Sequence, residues 1–167
     1  LHRAQRCEEL GIGSLWLYDH MYGPGVPDIS SLEAWTLATA LLSRTERLRV
    51  GPMVLCNTFR HPAVLAKMAT TLDQISNGRL GLGIGSGSIE DEHRRLGLPW
   101  GSFAERSERL RETLEILAQA FGEERIDFSG THYTVRDMPI KPGPAQQPRP
   151  PIVVGGSGEK YTLPLVA

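Results

Sequence analysis

The sequence predicts an α/β fold in which parallel strands alternate with helices, either as an open sheet or as a closed barrel. Stretches of strand length that are apolar nearly throughout alternate along the chain with amphipathic stretches of helix length. The chain has 167 residues, of which 40% are hydrophobic, and this length is typical of one domain around one core.

The first predicted unit is a short helix followed by a strand. The helix is expected to end at Gly11, because glycine is the usual residue just past a helix C-terminus. Ser14–Tyr18 is apolar nearly throughout, which suits a strand covered on both faces. The polar pair Asp19 and His20 follows the strand directly, so it is expected at the C-terminal end of the strand.

The second unit follows a loop rich in glycine and proline. Ser30 and Glu33 have the spacing of a capping box, which predicts that the next helix begins there. Leu48–Leu55 is the expected next strand, but Pro52 lies inside it and cannot donate a ladder hydrogen bond. We therefore expect a bulge or an end of pairing near Met53-Val54.

The third unit is a helix that begins at His61-Pro62, since proline favours the first helical position, and that stops at Asn77-Gly78. Its predicted core face consists of Val64, Leu65, Met68, Leu72 and Ile75. Arg79–Ser88 follows as a strand in which glycines alternate with aliphatic residues, so that one face of the strand carries no side chains.

The last units are a helix, a hairpin and a strand. Ser102 and Glu105 form a second capping-box pattern before an amphipathic helix. Arg125–Phe128 and His132–Val135 predict an antiparallel hairpin, and Ile152–Gly156 predicts a final buried strand.

Composition excludes several classes of function. The net charge of −1 offers no field for nucleic acid or for an anionic membrane surface, and no apolar run approaches the ~18 residues of a membrane span. The two cysteines are too few for a disulfide scaffold, which favours a reducing, cytoplasmic setting. The chain begins at Leu1 without the pattern of a signal peptide, and the missing initiator Met suggests a fragment.

Candidate site residues lie where the parallel strands end, because ligands of such folds gather at the carboxyl ends of the strands. His20 is a candidate hydrogen-bond donor or general base, although a surface histidine would also fit. Cys56 adjoins the same edge but needs no catalytic role. The four strand ends to compare are Asp19-His20, Val54 to Asn57, Gly85 to Ser88, and Gly155 to Ser157.

The glycine-rich strand ends admit more than one interpretation. Gly81 to Gly87 would let a flat ring or a phosphate approach the backbone, or would serve tight packing. Ser88 stands where a dinucleotide fingerprint needs glycine, and no P-loop sequence follows. Gly155 to Gly158 suits either an amide nest for phosphate or a plain turn. Glu90 to His93 lacks metal-ligand spacing, so a solvated helix start is the expectation there.

Taken together, these stretches resemble the bacterial luciferase-like family of flavin- and deazaflavin-dependent oxidoreductases. The matching pieces occur in the family's order over nearly the whole chain and are specific as a set. They are Glu9-Leu10-Gly11, Asp19-His20, Thr45 to Gly51, Arg60-His61-Pro62, Leu72 to Arg79, Gly83-x-Gly85-x-Gly87 and Pro151 to Gly156.

The resemblance implies a (β/α)8 TIM-type barrel with the cofactor ring at its mouth. By this resemblance His20 is the candidate catalytic base or hydrogen-bond partner of the substrate, and Met53-Val54 matches a bulge with a non-prolyl cis peptide. The residues matching cofactor contacts are Asp19, Met53, Val54, Cys56, Gly85, Ser86, Gly87, Gly155, Gly156 and Ser157, the last three at the start of the phosphate-binding region.

The resemblance also implies an incomplete barrel, because eight βα units need roughly 250 residues. Residues 1–167 are expected to form a partial luciferase-like domain with roughly strands two to five and a hairpin insertion. Exposed strand edges would then favour a homo-oligomer. Ser88 replaces a carboxylate, and Pro24 a tryptophan, of some deazaflavin enzymes.

The expected activity is hydride transfer between coenzyme F-420 and a small organic substrate. One alternative is an FMN-dependent monooxygenase that uses reduced flavin and oxygen, and another is a non-catalytic flavin-binding fragment. A metal-dependent hydrolase is disfavoured, because ligand spacing is absent.

Overall fold

The computed structural model describes residues 1–166 and alternates helices with strands from Leu1 onward. The helices are α1 (His2–Glu9), α2 (Ala34–Leu42), α3 (Pro62–Ile75), α4 (Glu90–Leu96) and α5 (Phe103–Gly122). The strands are β1 (Ser14–Leu17), β2 (Arg49–Pro52), β3 (Leu55–Cys56), β4 (Leu82–Gly85), β5 (Arg125–Ser129), β6 (Thr134–Pro139) and β7 (Ile152–Gly155). Short 3-10 helices lie at Asn57–Phe59 and Leu163–Leu165. No helix within residues 1–166 combines the length and apolar character needed to cross a membrane.

The strands outside the hairpin pair in parallel, as predicted for an α/β fold. β1 pairs with β2, and β3, β4 and β7 form a second group in that order. A parallel bridge between Val50 and Leu80 joins the two groups. The C-terminal ends of all these strands therefore meet at one edge, where the predicted site residues lie.

Pairing between β1 and β2 ends at Pro52, which confirms the expectation drawn from that proline. One residue further along, the Met53-Val54 peptide bond is cis, as the resemblance implies. Beyond it the chain resumes as β3 and pairs with β4 instead of β1. The interruption thus divides one predicted strand, Leu48–Leu55, into two.

Helices cover only one face of the parallel strands in residues 1–166. Leu15 and Leu17 pack on the core, whereas Trp16 is 42% exposed and Tyr18 is 52% exposed. The expectation that the first strand is covered on both faces is therefore wrong. Because Ser14–Tyr18 is apolar nearly throughout, its sequence did not indicate which face of β1 the helices cover and which face is exposed.

Two helical predictions need correction. α2 begins later than the Ser30 capping box implied, because the Glu33 carboxylate itself accepts hydrogen bonds from the backbone N–H groups of Trp35 and Thr36. In α3, Leu65 and Leu72 are buried, but Val64 and Ile75 are exposed, so the buried stripe is narrower than the predicted core face.

Other local predictions are confirmed. Pro62 occupies the first turn of α3, and Asn77 and Gly78 both adopt positive φ just after it. Ser102 accepts a hydrogen bond from the backbone of Glu105 at the start of α5. β5 and β6 form the expected antiparallel hairpin.

Candidate functional site

A cleft of 420 Å³ opens at the edge where the parallel strands end. All of the predicted site residues except Ser157 line it: Asp19, His20, Met53, Val54, Cys56, Gly85, Ser86, Gly87, Gly155 and Gly156. Ser157 is exposed outside this lining. Residues more than a hundred positions apart in sequence thus share one concave surface, and its volume lies in the range usual for ligand pockets.

His20 is held by a carboxylate from α4. Its Nδ1 lies 2.8 Å from Oε2 of Glu92, and the other oxygen of Glu92 accepts the backbone N–H of Met21 at 2.8 Å. The Glu92 side chain is 3% exposed and that of His20 is 22% exposed. An ionised carboxylate can only accept, so Nδ1 carries the proton, and Nε2 is the ring nitrogen available to a ligand.

Asp19 joins the end of β1 to the segment after β3. Its carboxylate accepts two hydrogen bonds from the guanidinium of Arg60, at 2.7 and 2.9 Å, and one from the backbone N–H of Cys56 at 2.9 Å. The Asp19 side chain is 1% exposed. Asp19 therefore lines the cleft with its oxygens already engaged, which suits a residue that fixes the shape of the cleft.

Arg60 also binds Glu33, with Nη2 lying 2.5 Å from Oε1. Burial acts against the charge on Arg60, but the hydrogen bonds and charges of Asp19 and Glu33 outweigh it and raise its pKa. Burial also acts against the charge on Glu33, yet hydrogen bonds from Thr36 and Trp35 together with the charge of Arg60 lower its pKa to about 2. This ion-pair network links β1, the N-terminus of α2 and the segment before α3.

Close packing, one of the two interpretations that the sequence left open, accounts for the glycines at the strand ends. A Cβ on Gly83 would overlap the carbonyl oxygen of Pro52, so this glycine is required by close packing of the strands. A Cβ on Gly85 or Gly155 would overlap the side chain of Val54. Both glycines also line the cleft, where the Val54 side chain occupies the space that their Cβ atoms would fill.

Cys56 and His93 meet on the wall of the cleft, bridged by Thr58. The hydroxyl of Thr58 lies 3.2 Å from the Cys56 sulfur and 2.5 Å from Nε2 of His93. Burial raises the pKa of the Cys56 thiol, and the charges of Asp19 and Glu92 act in the same direction.

The prediction of a solvated helix start at Glu90 to His93 is wrong for the second half of that run. Glu92 is 2% exposed and His93 is 1% exposed, because the first turn of α4 packs against the strand ends. The available signal was the position of these residues at the start of the helix that follows a strand whose end faces the cleft. Arg60 was also not predicted as a site residue. The sequence offered one indication, because Arg60 is an isolated charged residue shortly after the apolar strand Leu48–Leu55.

Within residues 1–166, no group of three or more His, Cys, Asp or Glu side chains is arranged to hold a metal ion. The chemistry that the cleft itself offers is a histidine with one free ring nitrogen, a thiol and exposed backbone. These groups suit proton transfer beside a flat ligand.

Comparison with known proteins places this geometry in a family. The chain is 36% identical over 161 residues to an F420-dependent glucose-6-phosphate dehydrogenase of Amycolatopsis mediterranei (strain U-32), covering 92% of this chain and 46% of that protein. It is 36% identical over 125 residues to an FMNH(2)-dependent dimethylsulfone monooxygenase of Pseudomonas putida, covering 75% of this chain and 34% of that protein.

A solved structure matches closely in shape. The structure of an F420-dependent secondary alcohol dehydrogenase in complex with an F420-acetone adduct superposes with a TM-score of 0.82 at 25% identity, over 96% of this chain and 48% of that one. The chain thus spans less than half the length of these relatives. Residues 1–166 match the sequence model of a protein family described as "Luciferase-like monooxygenase". The chain therefore belongs to the luciferase-like monooxygenase family of oxidoreductases.

Proposed function

We propose that this chain forms the cofactor cleft of an oxidoreductase that transfers hydride between coenzyme F-420 and a small organic substrate. The observation that carries the proposal is the His20–Glu92 pair at the edge of a cleft bordered by Gly85 and Gly155. Relatives named for F-420 dependence support the choice of cofactor.

The cleft fits the ring of such a cofactor. Gly85 and Gly155 line the cleft beside Val54, and the exposed side chain of Met53 also borders it. This arrangement suits a flat, largely apolar ring that contacts backbone groups at its edge. Gly155, Gly156 and the adjacent Ser157 are proposed to begin a site for the cofactor phosphate, with backbone N–H groups as donors.

When bound, the cofactor supplies the hydride acceptor or donor. The chain's own residues would manage the proton of the substrate. In the oxidation of an alcohol, Nε2 of His20 accepts the hydroxyl proton, and the Glu92 carboxylate stabilises the imidazolium through Nδ1–H. Asp19 and Arg60 keep the end of β1, and therefore His20, in place.

A monooxygenase that uses reduced FMN and oxygen is the second candidate. It is supported by the dimethylsulfone monooxygenase relative and by Ser88, which stands where some deazaflavin enzymes of the resembling family have a carboxylate. The cleft contacts proposed above suit an FMN ring equally well. A relative that binds the cofactor without turnover is the remaining alternative, and it would show saturable binding with no product.

We further propose that the parallel strands β1, β2, β3, β4 and β7 are part of a (β/α)8 barrel, with β5 and β6 as an insertion. The exposed edges of β1 and β7 favour association with further strands, and a homo-oligomer is one way to provide them. A cytoplasmic location and a small-molecule substrate complete the proposal.

The test is a matched pair of histidine variants. H20A is expected to bind F-420 with the affinity of the wild-type chain but to lose about 100-fold or more in the rate of deazaflavin reduction by alcohol or sugar-phosphate substrates. E92Q should lose rate in the same direction, because Nδ1 then lacks a charged partner. The control is H132A, since His132 pairs with Glu108 away from the cleft. Equal rates for H20A and the wild-type chain would refute the assigned role.

A further inference from the structure

The Cys56 thiol is one end of a hydrogen-bond chain that runs from the cleft into the interior. Its sulfur lies 3.2 Å from the hydroxyl oxygen of Thr58, which lies 2.5 Å from Nε2 of His93. Nδ1 of His93 lies 2.9 Å from the carbonyl oxygen of Ile89. Both Cys56 and His93 border the cleft, and His93 is 1% exposed.

Chemistry fixes the direction of each hydrogen bond. The carbonyl of Ile89 can only accept, so Nδ1 of His93 donates to it, and in the neutral ring Nε2 is left as an acceptor. The Thr58 hydroxyl donates its single proton to that nitrogen. It can then only accept from the Cys56 thiol, whose sulfur also lies 3.8 Å from Nε2 of His93, so both acceptors of the S–H group lie on the Thr58–His93 side.

We propose that His93, acting through Thr58, is a positioning residue that holds Cys56 as an uncharged thiol with its sulfur turned toward the cleft. The benefit of this arrangement to a bound cofactor ring rests on the proposed function. A neutral, polarisable sulfur makes favourable contacts with aromatic rings. His93 is itself held between rings, with centroids 5.0 Å from Phe59 and 4.6 Å from Trp100.

Burial raises the pKa of the Cys56 thiol, Asp19 and Glu92 add to the effect, and hydrogen bonds from the hydroxyl and the backbone N–H of Thr58 lower it. Of these two donors, the hydroxyl is the one that a second acceptor can draw away from the sulfur. His93 competes for that hydroxyl proton. Other charged or titratable groups nearby are Arg106, which stacks on Trp100, His20, which pairs with Glu92, and Arg60, which pairs with Asp19.

Alkylation of Cys56 by iodoacetamide as a function of pH tests this arrangement in the unliganded chain, with Cys7 on α1 as the internal control. In H93L the Thr58 hydroxyl is free to donate to the sulfur, so the apparent pKa of Cys56 should fall by about 0.5 to 1 unit. The alkylation rate at pH 7 should then rise about three- to tenfold.

Two further variants separate this effect from a change in packing. H93Q keeps an acceptor for Thr58 and should retain the wild-type rate, whereas the double variant T58V/H93L lacks the hydroxyl and should lose the gain. An unchanged rate in H93L would overturn the proposal, and so would an equal gain in the double variant. An equal rise in the alkylation rate of Cys7 in H93L would overturn it as well, because a general loss of packing would then explain the faster alkylation of both cysteines.

A separate arm concerns the cofactor. Saturating F-420 or FMN should protect Cys56, but not Cys7, from alkylation in the wild-type chain. Failure of the wild-type chain to bind either cofactor would contradict the proposed function, while the variant comparison would still decide the role of His93.

Discussion

Removal of the Arg60 guanidinium, in R60M, should destabilise the chain more than loss of any exposed ion pair. The guanidinium supplies two of the three hydrogen bonds on the Asp19 carboxylate, whose side chain is 1% exposed. Without it, a buried charge keeps a single backbone donor. Loss of one partner of a buried pair costs about 3–5 kcal/mol, which corresponds to a fall in Tm of about 10 °C for a chain of this size.

Urea unfolding followed by tryptophan fluorescence measures this cost. The double variant D19N/R60M should recover part of the lost stability, because an amide removes the orphaned charge. R125M is the matched control, since Arg125 pairs with Asp137 on the surface, and its free energy of unfolding should stay close to wild type. A cost below about 1 kcal/mol for R60M would refute the reasoning, and so would a double variant no more stable than R60M.

Three further predictions concern stability. Folding lowers the pKa of Glu33 from 4.5 to about 2, so the stabilisation by its ionised carboxylate is complete above pH 4.5 and is lost as the pH falls toward 2. Because the side chain is 36% exposed, solvent screening limits this stabilisation to about 1 kcal/mol. In acid titrations of stability, E33Q should abolish this part of the pH dependence. The buried Glu112 carboxylate accepts the backbone N–H groups of residues 131–133, so E112A should cost about 2–4 kcal/mol, and hydrogen exchange should accelerate at those amides but not in α3. G83A should lower the free energy of unfolding several-fold more than G122A, because a Cβ at Gly83 would overlap the backbone of Pro52, whereas a Cβ at Gly122 would meet open space. Equal unfolding midpoints for the two variants would contradict the packing role of Gly83.

The order and type of most elements could be predicted because their signals are local. Pro62 at the start of α3, Asn77-Gly78 after it and the Ser102 cap act within one turn of the chain. Pro52 likewise identified where pairing with β1 ends. Such features depend on backbone geometry and capping, which neighbouring residues determine.

The site was predicted less completely because its contacts are long-range. His20 was predicted as a site residue from its place at a strand end, but its partner Glu92 is 72 positions away. Arg60 is 41 positions from Asp19. No periodicity links such pairs, and the acidic run before His93 was interpreted as solvated because burial of its second half depends on how α4 docks. Exposure of Trp16 was missed because the apolar run of β1 does not reveal which of its faces the helices cover.

The most direct test of the central claim is a titration of the chain with F-420, followed by deazaflavin fluorescence, with FMN as competitor. The variants S86W and S129W test where the cofactor binds. Ser86 lines the cleft, whereas Ser129 lies at the end of β5, away from the cleft. We expect saturable one-to-one binding to the wild-type chain and to S129W, and loss of binding in S86W. Absence of binding to the wild-type chain, or equal binding to S86W and S129W, would contradict the assignment of this cleft as the cofactor site.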